Sequence, residues 1–147
     1  MVYLDTSFVA PLVISEADSR AVEAVVMKIP AGQLTSSMWT IVELASLVSR
    51  KVSVGALSQS EGNAVRRELK RLIDESFEML VPTSADFEEA AKYLEILKTG
   101  LRSGDALHLA IAGNHGARKI LSLDKAFVEA GKRLNLAVSQ GIRGRHE

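Results

Sequence analysis

Five short runs of strand character, at about residues 2–5, 33–36, 78–81, 119–122 and 136–139, are separated along this chain by longer stretches of helical periodicity. No other feature constrains the fold as strongly. Strands joined by helical crossovers pair in parallel, and a parallel sheet needs helices on both of its faces. Val2-Tyr3-Leu4 and Ile120-Leu121 are apolar on consecutive residues, as strands covered on both sides must be. The expectation is an α/β fold forming a single domain over residues 1–140, since 147 residues with 47% hydrophobic content suffice for one core.

Helical patterns cover about 6–14, where Pro11 is tolerable in a first turn, and about 16–29, closed by Pro30-Ala31-Gly32. Met38 to Lys51 repeats Ile41, Leu44, Ala45 and Val48 at helical spacing. Ser58 caps a helix running to about Ser76, Thr83 opens one that Gly100 ends, and Ser103 and Asp124 open two more. Residues 141–147, with Gly141, Arg143, Gly144 and Arg145, are expected to form a flexible tail.

Four acids occupy positions where charge is unusual. Asp5 and Asp124 follow strand-like runs, and Glu43 and Asp105 lie within apolar helical patterns. In a parallel sheet the ligand crevice opens beyond the carboxyl ends of the strands, where the strand order reverses. If the strands before Asp5 and Asp124 are neighbours at that point, their carboxylates meet at one mouth. Carboxylates gathered in space repel one another, and a bound divalent cation is the usual remedy. The set reads as a metal-dependent phosphodiesterase site.

Composition removes several other chemistries. The absence of cysteine excludes disulfides, thiolate metal sites and cysteine nucleophiles, and fits a reducing, cytoplasmic location. No basic leader opens the chain, and no apolar stretch approaches the ~20 residues that span a bilayer, so no membrane partner is expected. Eighteen basic residues balance 18 acidic ones, so nucleic-acid binding would need a local patch. Ser7 lacks a patterned histidine, which argues against a covalent hydrolase.

The motifs Val2-Tyr3-Leu4-Asp5-Thr6-Ser7, Val42-Glu43-Leu44, Asp105-Ala106-Leu107-His108-Leu109-Ala110-Ile111-Ala112 and Ser122-Leu123-Asp124 before Phe127 together resemble the PIN domain family, and within it the VapC-type toxins. The resemblance spans about residues 2–140. It implies a three-layer α/β/α sandwich with a parallel sheet of order 3-2-1-4-5. It also implies a Mg²⁺- or Mn²⁺-dependent endoribonuclease acting on RNA, a homodimer, and an antitoxin that blocks the acidic site by inserting a basic side chain. Carried over by motif, Asp5, Glu43, Asp105 and Asp124 are the catalytic and metal-holding acids, with Thr6 and Ser122 as polar supports. Because Mg²⁺ takes only one or two carboxylates directly, Asp5 and Asp105 are expected nearest the ion, with Glu43 and Asp124 acting through water or on a second ion.

Each residue also has a plainer use. Asp5, Asp105 and Asp124 stand where acids favour helix starts. His108, three residues beyond Asp105, is set aside as a ligand because Mg²⁺ prefers oxygen, and neither His115 nor His146 is a candidate. Arg66, Arg67, Lys70 and Arg71 form a basic stripe that can contact RNA phosphates or merely face solvent, and Arg102 and Lys51 have the same two readings. Trp39 reads as core or dimer surface. A dehalogenase-like phosphatase would need an Asp where Ser7 stands, and a phospho-accepting receiver domain an acidic pair that is absent. A catalytically silent PIN-like scaffold and a housekeeping PIN nuclease without an antitoxin are the remaining alternatives.

Overall fold

A computed structural model describes residues 1–98 and 100–142. Strands β1 (Val2–Leu4), β2 (Leu34–Ser37), β3 (Glu78–Leu80), β4 (Lys119–Leu121) and β5 (Val138–Ser139) form one sheet of order β3-β2-β1-β4-β5. Every pairing is parallel, with Tyr3 aligned to Thr35 on one side and Ile120 on the other. The chain works outward from β1 to β3, returns to the far side of β1 for β4, and ends at β5. The switch point therefore lies between β1 and β4, as the family resemblance implies.

Strand alternation divides the core between the two faces of the sheet. Val2, Leu4 and Leu121 face Phe8, Val9, Val22, Leu44 and Leu69 from helices α1 (Thr6–Val9), α2 (Ser19–Val26), α3 (Met38–Ser53) and α4 (Gln59–Ser76). Tyr3, Ile120 and Val138 face the other way, toward Tyr93, Leu109, Ile111 and Phe127 from α5 (Ser84–Leu97), α6 (Ser103–Asn114) and α7 (Lys125–Arg133). This is the three-layer sandwich. Reversing the direction of travel at the switch point sends the later helices to the opposite face, because parallel crossovers are right-handed.

Local chemistry shortens two expected helices. Pro11 lacks the N–H that an α-ladder requires, so after Val9 the chain tightens into a 3₁₀ turn over Ala10–Leu12. Before α2, the Ser19 hydroxyl accepts the Glu16 N–H and donates to the Ile14 carbonyl, satisfying the backbone in a turn where helix was expected. At the end of α5 the left-handed residue is Lys98 (φ 47°), two positions ahead of Gly100 (φ 70°). Both expected caps are present as capping boxes, Ser58 with Glu61 and Thr83 with Asp86. Gly141 and Ile142 pack on Phe8, Leu121 and their neighbours, while 143–147, including Arg143, Gly144, Arg145 and His146, lie outside the described residues. Among the described residues, no helix is long and apolar enough to cross a membrane.

Candidate active site

A cleft of about 590 Å³ opens at the carboxyl ends of β1 and β4, lined by Asp5, Thr6, Ser7, Glu43, Arg102, Asp105, His108, Asp124 and Lys125. Each acid arrives from a different element. Asp5 directly follows β1, Glu43 lies on the second turn of α3, Asp105 on the first turn of α6, and Asp124 directly before α7. The four acids named from the sequence thus share one mouth.

Asp5 is 3% exposed and held by three donors. Its Oδ1 accepts from the Ser7 hydroxyl at 2.7 Å and the Phe8 N–H at 3.1 Å, while Oδ2 accepts from the Ser122 hydroxyl at 2.7 Å. The serines are themselves fixed, because Ser7 Oγ accepts the Leu123 N–H and Ser122 Oγ accepts the Asp124 N–H. An ionised carboxylate offers about four lone-pair directions, so one at Oδ2 remains for a further partner. The N-cap of α1 and a place in the cleft are compatible because Oδ1 does the capping. Asp124 divides its work similarly, its Oδ1 accepting the Ala126 and Phe127 N–H groups.

Asp105 differs from both. It receives no hydrogen bond among the described residues, and burial followed by the charges of Asp124 and Asp5 pushes its carboxyl up to about 6, with Glu43 adding to that and His108 opposing it. Burial also raises Asp5, against the opposing pull of His108 and its hydroxyl and N–H donors. Glu43 shifts the other way: burial pushes it up, but the hydrogen bond and charge of His108, then Thr6 and Arg102, outweigh burial and hold it below the ordinary carboxylate range.

Among the described residues, no salt bridge reaches Asp5, Asp105 or Asp124. A buried carboxylate and two neighbours, lacking a Lys or Arg partner and bearing mutual repulsion, make an all-oxygen donor set suited to a hard divalent cation. Among the described residues, no three His, Cys, Asp or Glu side chains lie close enough together to hold a metal ion between them as they stand, although Mg²⁺ takes only one or two carboxylates directly.

The basic stripe does not come to the cleft. Arg66 and Lys70 border an apolar groove between α3 and α4, Lys70 pairs with Asp74 at 2.7 Å, and Arg71 bridges Glu68 and Glu75. Lys51 is also absent from the cleft lining, whereas Arg102 and Lys125 are part of it. Trp39 packs against the α5–α6 side of the core with its indole N–H unpartnered. Ser7, Tyr3 and Lys125 were given no site role from the sequence, and His108, set aside as a ligand, contacts Glu43 and Thr6. The partners of Tyr3 and His108 come from other elements, so helical or strand spacing alone contained no signal for them.

The PIN domain model of protein families matches residues 2–133. No protein of curated function matches the chain in sequence. Among solved structures, Mycobacterium tuberculosis VapC20, described as a sarcin-ricin loop cleaving toxin, superimposes with a TM-score of 0.72 at 19% identity, covering 89% of this chain and 95% of its own. FitAcB from Neisseria gonorrhoeae gives 0.74 at 18% identity, covering 96% and 98%, and VapBC-1 from nontypeable Haemophilus influenzae gives 0.69 at 19%, with the same coverage. At these identities the likeness is one of fold.

Proposed function

Since this chain belongs to the PIN domain family, we propose that it is a divalent-cation-dependent endoribonuclease, the toxin of a toxin–antitoxin pair. Its substrate is RNA, and hydrolysis takes place at the mouth formed by Asp5, Glu43, Asp105 and Asp124. One observation carries the reading above all: Asp5, only 3% exposed, shares the cleft with Asp105 and Asp124, and among the described residues no Lys or Arg side chain is paired with any of the three.

Asp5 and Asp105 would hold the Mg²⁺ or Mn²⁺ ion, with Glu43 and Asp124 orienting water around it. When bound, the ion lowers the pKa of a coordinated water and offsets charge developing on the phosphate. The chain's own residues set the geometry. Ser7 and Ser122 fix the Asp5 carboxylate, Thr6 donates to Glu43 Oε1 at 2.7 Å, and Asp124 is anchored by the α7 backbone. Arg102 and Lys125 put positive charge at the rim, where the RNA backbone would approach.

The toxin assignment draws on the fold shared with VapC20. An antitoxin placing a basic side chain among the acids would supply the counter-charge that they lack. A second copy of the chain is the other proposed partner; Phe87 (57% exposed) and Leu94 (37%) border an apolar hollow beside Trp39 that suits such contact. Incubating purified protein with RNA in Mg²⁺, Mn²⁺ or EDTA tests the activity. Cleavage should need the metal, leave 5′-phosphate ends and vanish in Asp105→Asn; cleavage in EDTA, or 2′,3′-cyclic phosphate ends, would refute the proposal.

A further inference from the structure

We propose that His108 is a positioning residue that orients the Glu43 carboxylate toward the cation, and that Tyr3 and Ser37 hold His108 in place from within the sheet. The inference rests on the nuclease reading for its purpose, but its geometry is independent of any substrate.

Both nitrogens of His108 are engaged, and the residue is 1% exposed. Nδ1 lies 2.7 Å from the Tyr3 hydroxyl, which lies 2.8 Å from the Ser37 hydroxyl. Nε2 contacts Glu43 Oε1 and lies 3.1 Å from Thr6 Oγ1. A carboxylate only accepts, so the hydrogen on this contact belongs to Nε2. Tyr3 can donate to Nδ1 while accepting from Ser37, and the chain Ser37, Tyr3, His108, Glu43 is then satisfied at every link. The imidazole cannot easily turn, because Tyr3 and Phe127 pack edge-on against it with centroids at 5.8 and 6.4 Å.

The consequence falls on Glu43. Thr6 and His108 both donate to Oε1 and together use its two lone pairs. Oε2 receives no hydrogen bond among the described residues, and an added Cβ at Gly104 would lie 3.0 Å from it, so the glycine leaves this oxygen room on the α6 side. Glutamate has three side-chain torsions and would otherwise sample several positions, particularly on a side chain that is 28% exposed. Clamping one oxygen fixes where the other points. His108 therefore acts through Glu43 without itself being a metal ligand, the role that second-layer histidine and carboxylate partners play around metal sites.

The plainer account is a core histidine satisfied by its neighbours, which would matter for stability alone. Calorimetric Mn²⁺ titration, circular dichroism and RNA-cleavage kinetics on wild type, His108→Leu, His108→Gln and Tyr3→Phe separate the two. His108→Leu should weaken Mn²⁺ binding by roughly 10- to 100-fold and lower kcat with little change in KM for RNA. His108→Gln, which keeps an N–H donor, should recover most of that loss, and Tyr3→Phe should weaken binding in the same direction by a smaller factor. Folded His108→Leu with wild-type Mn²⁺ affinity, or His108→Gln no better than His108→Leu, would overturn the proposal. If His108→Leu fails to fold, Tyr3→Phe decides, and wild-type Mn²⁺ affinity there also overturns it. Wild type that binds Mn²⁺ but cleaves no RNA would defeat the nuclease reading, with His108 still judged by the Mn²⁺ affinities. Wild type that cleaves RNA, with variants unchanged in affinity and rate, would defeat the positioning role alone.

Discussion

Asp105 is an acid whose environment opposes its charge. Its ordinary value of 3.8 is raised to about 6 in the folded chain, so between those values the native state holds a proton that the unfolded chain has released. Stability of the metal-free protein should therefore fall as pH rises through that window, and the penalty is fully present above it. Asp5, also raised, acts in the same direction, while Glu43, lowered, opposes it. Urea melts at pH 4 and pH 7 in EDTA should show Asp105→Asn gaining on wild type as pH rises. A constant difference would mean that neither burial nor neighbouring charge raises Asp105. The four acids were legible individually from apolar runs broken by a carboxylate. Ser7 and Tyr3 were not, because a hydroxyl beside a strand has many ordinary uses, and only the fold shows that Ser7 reaches Asp5 and Tyr3 reaches His108.

At the scale of elements, small residues decide how closely α6 and α7 approach the sheet. A Cβ on Gly131 of α7 would meet Val138 Cγ2 of β5 at 2.2 Å and Leu109 Cδ2 of α6 at 3.2 Å. Helix propensity alone makes Gly→Ala stabilising by about 1 kcal/mol, but the clash is with a buried strand residue, and overpacking costs typically about 1–3 kcal/mol. Gly131→Ala should therefore destabilise the protein in urea unfolding, and a stabilised variant would contradict this account of the α7–β5 packing. Caps and strand alternation were readable because they are local in sequence. The extent of α2 was not, since it depends on Ser19 bonding back to Glu16 and Ile14. The basic stripe on α4 was visible as charge, but its direction was not. The fold turns it to a face away from the cleft, where Lys70 and Arg71 spend their charge on acids of their own helix.

Over the whole molecule, the reversal of strand order at β1 and β4 gathers residues separated by more than a hundred positions, as in the contact of Ser122 with Asp5. Alternating sequence periodicity announces the parallel sheet, but strand order came only through the family resemblance, since parallel crossovers permit several orders. Assembly tests the outer surface: sedimentation of the purified chain should report a dimer, and Phe87→Glu should shift it toward monomer. An unshifted dimer would place the interface elsewhere than around Phe87. The central claim is that the converging acids form a divalent-cation site, and it implies a trade between stability and function. Thermal melting of wild type and Asp105→Asn at neutral pH, each in EDTA and in millimolar Mn²⁺, tests it most directly. The account predicts that Asp105→Asn melts above wild type in EDTA. Mn²⁺ should stabilise wild type by about 1–3 kcal/mol at roughly 10 to 100 times its dissociation constant and leave the variant nearly unchanged. Equal melting temperatures in all four samples would contradict the shared cation site.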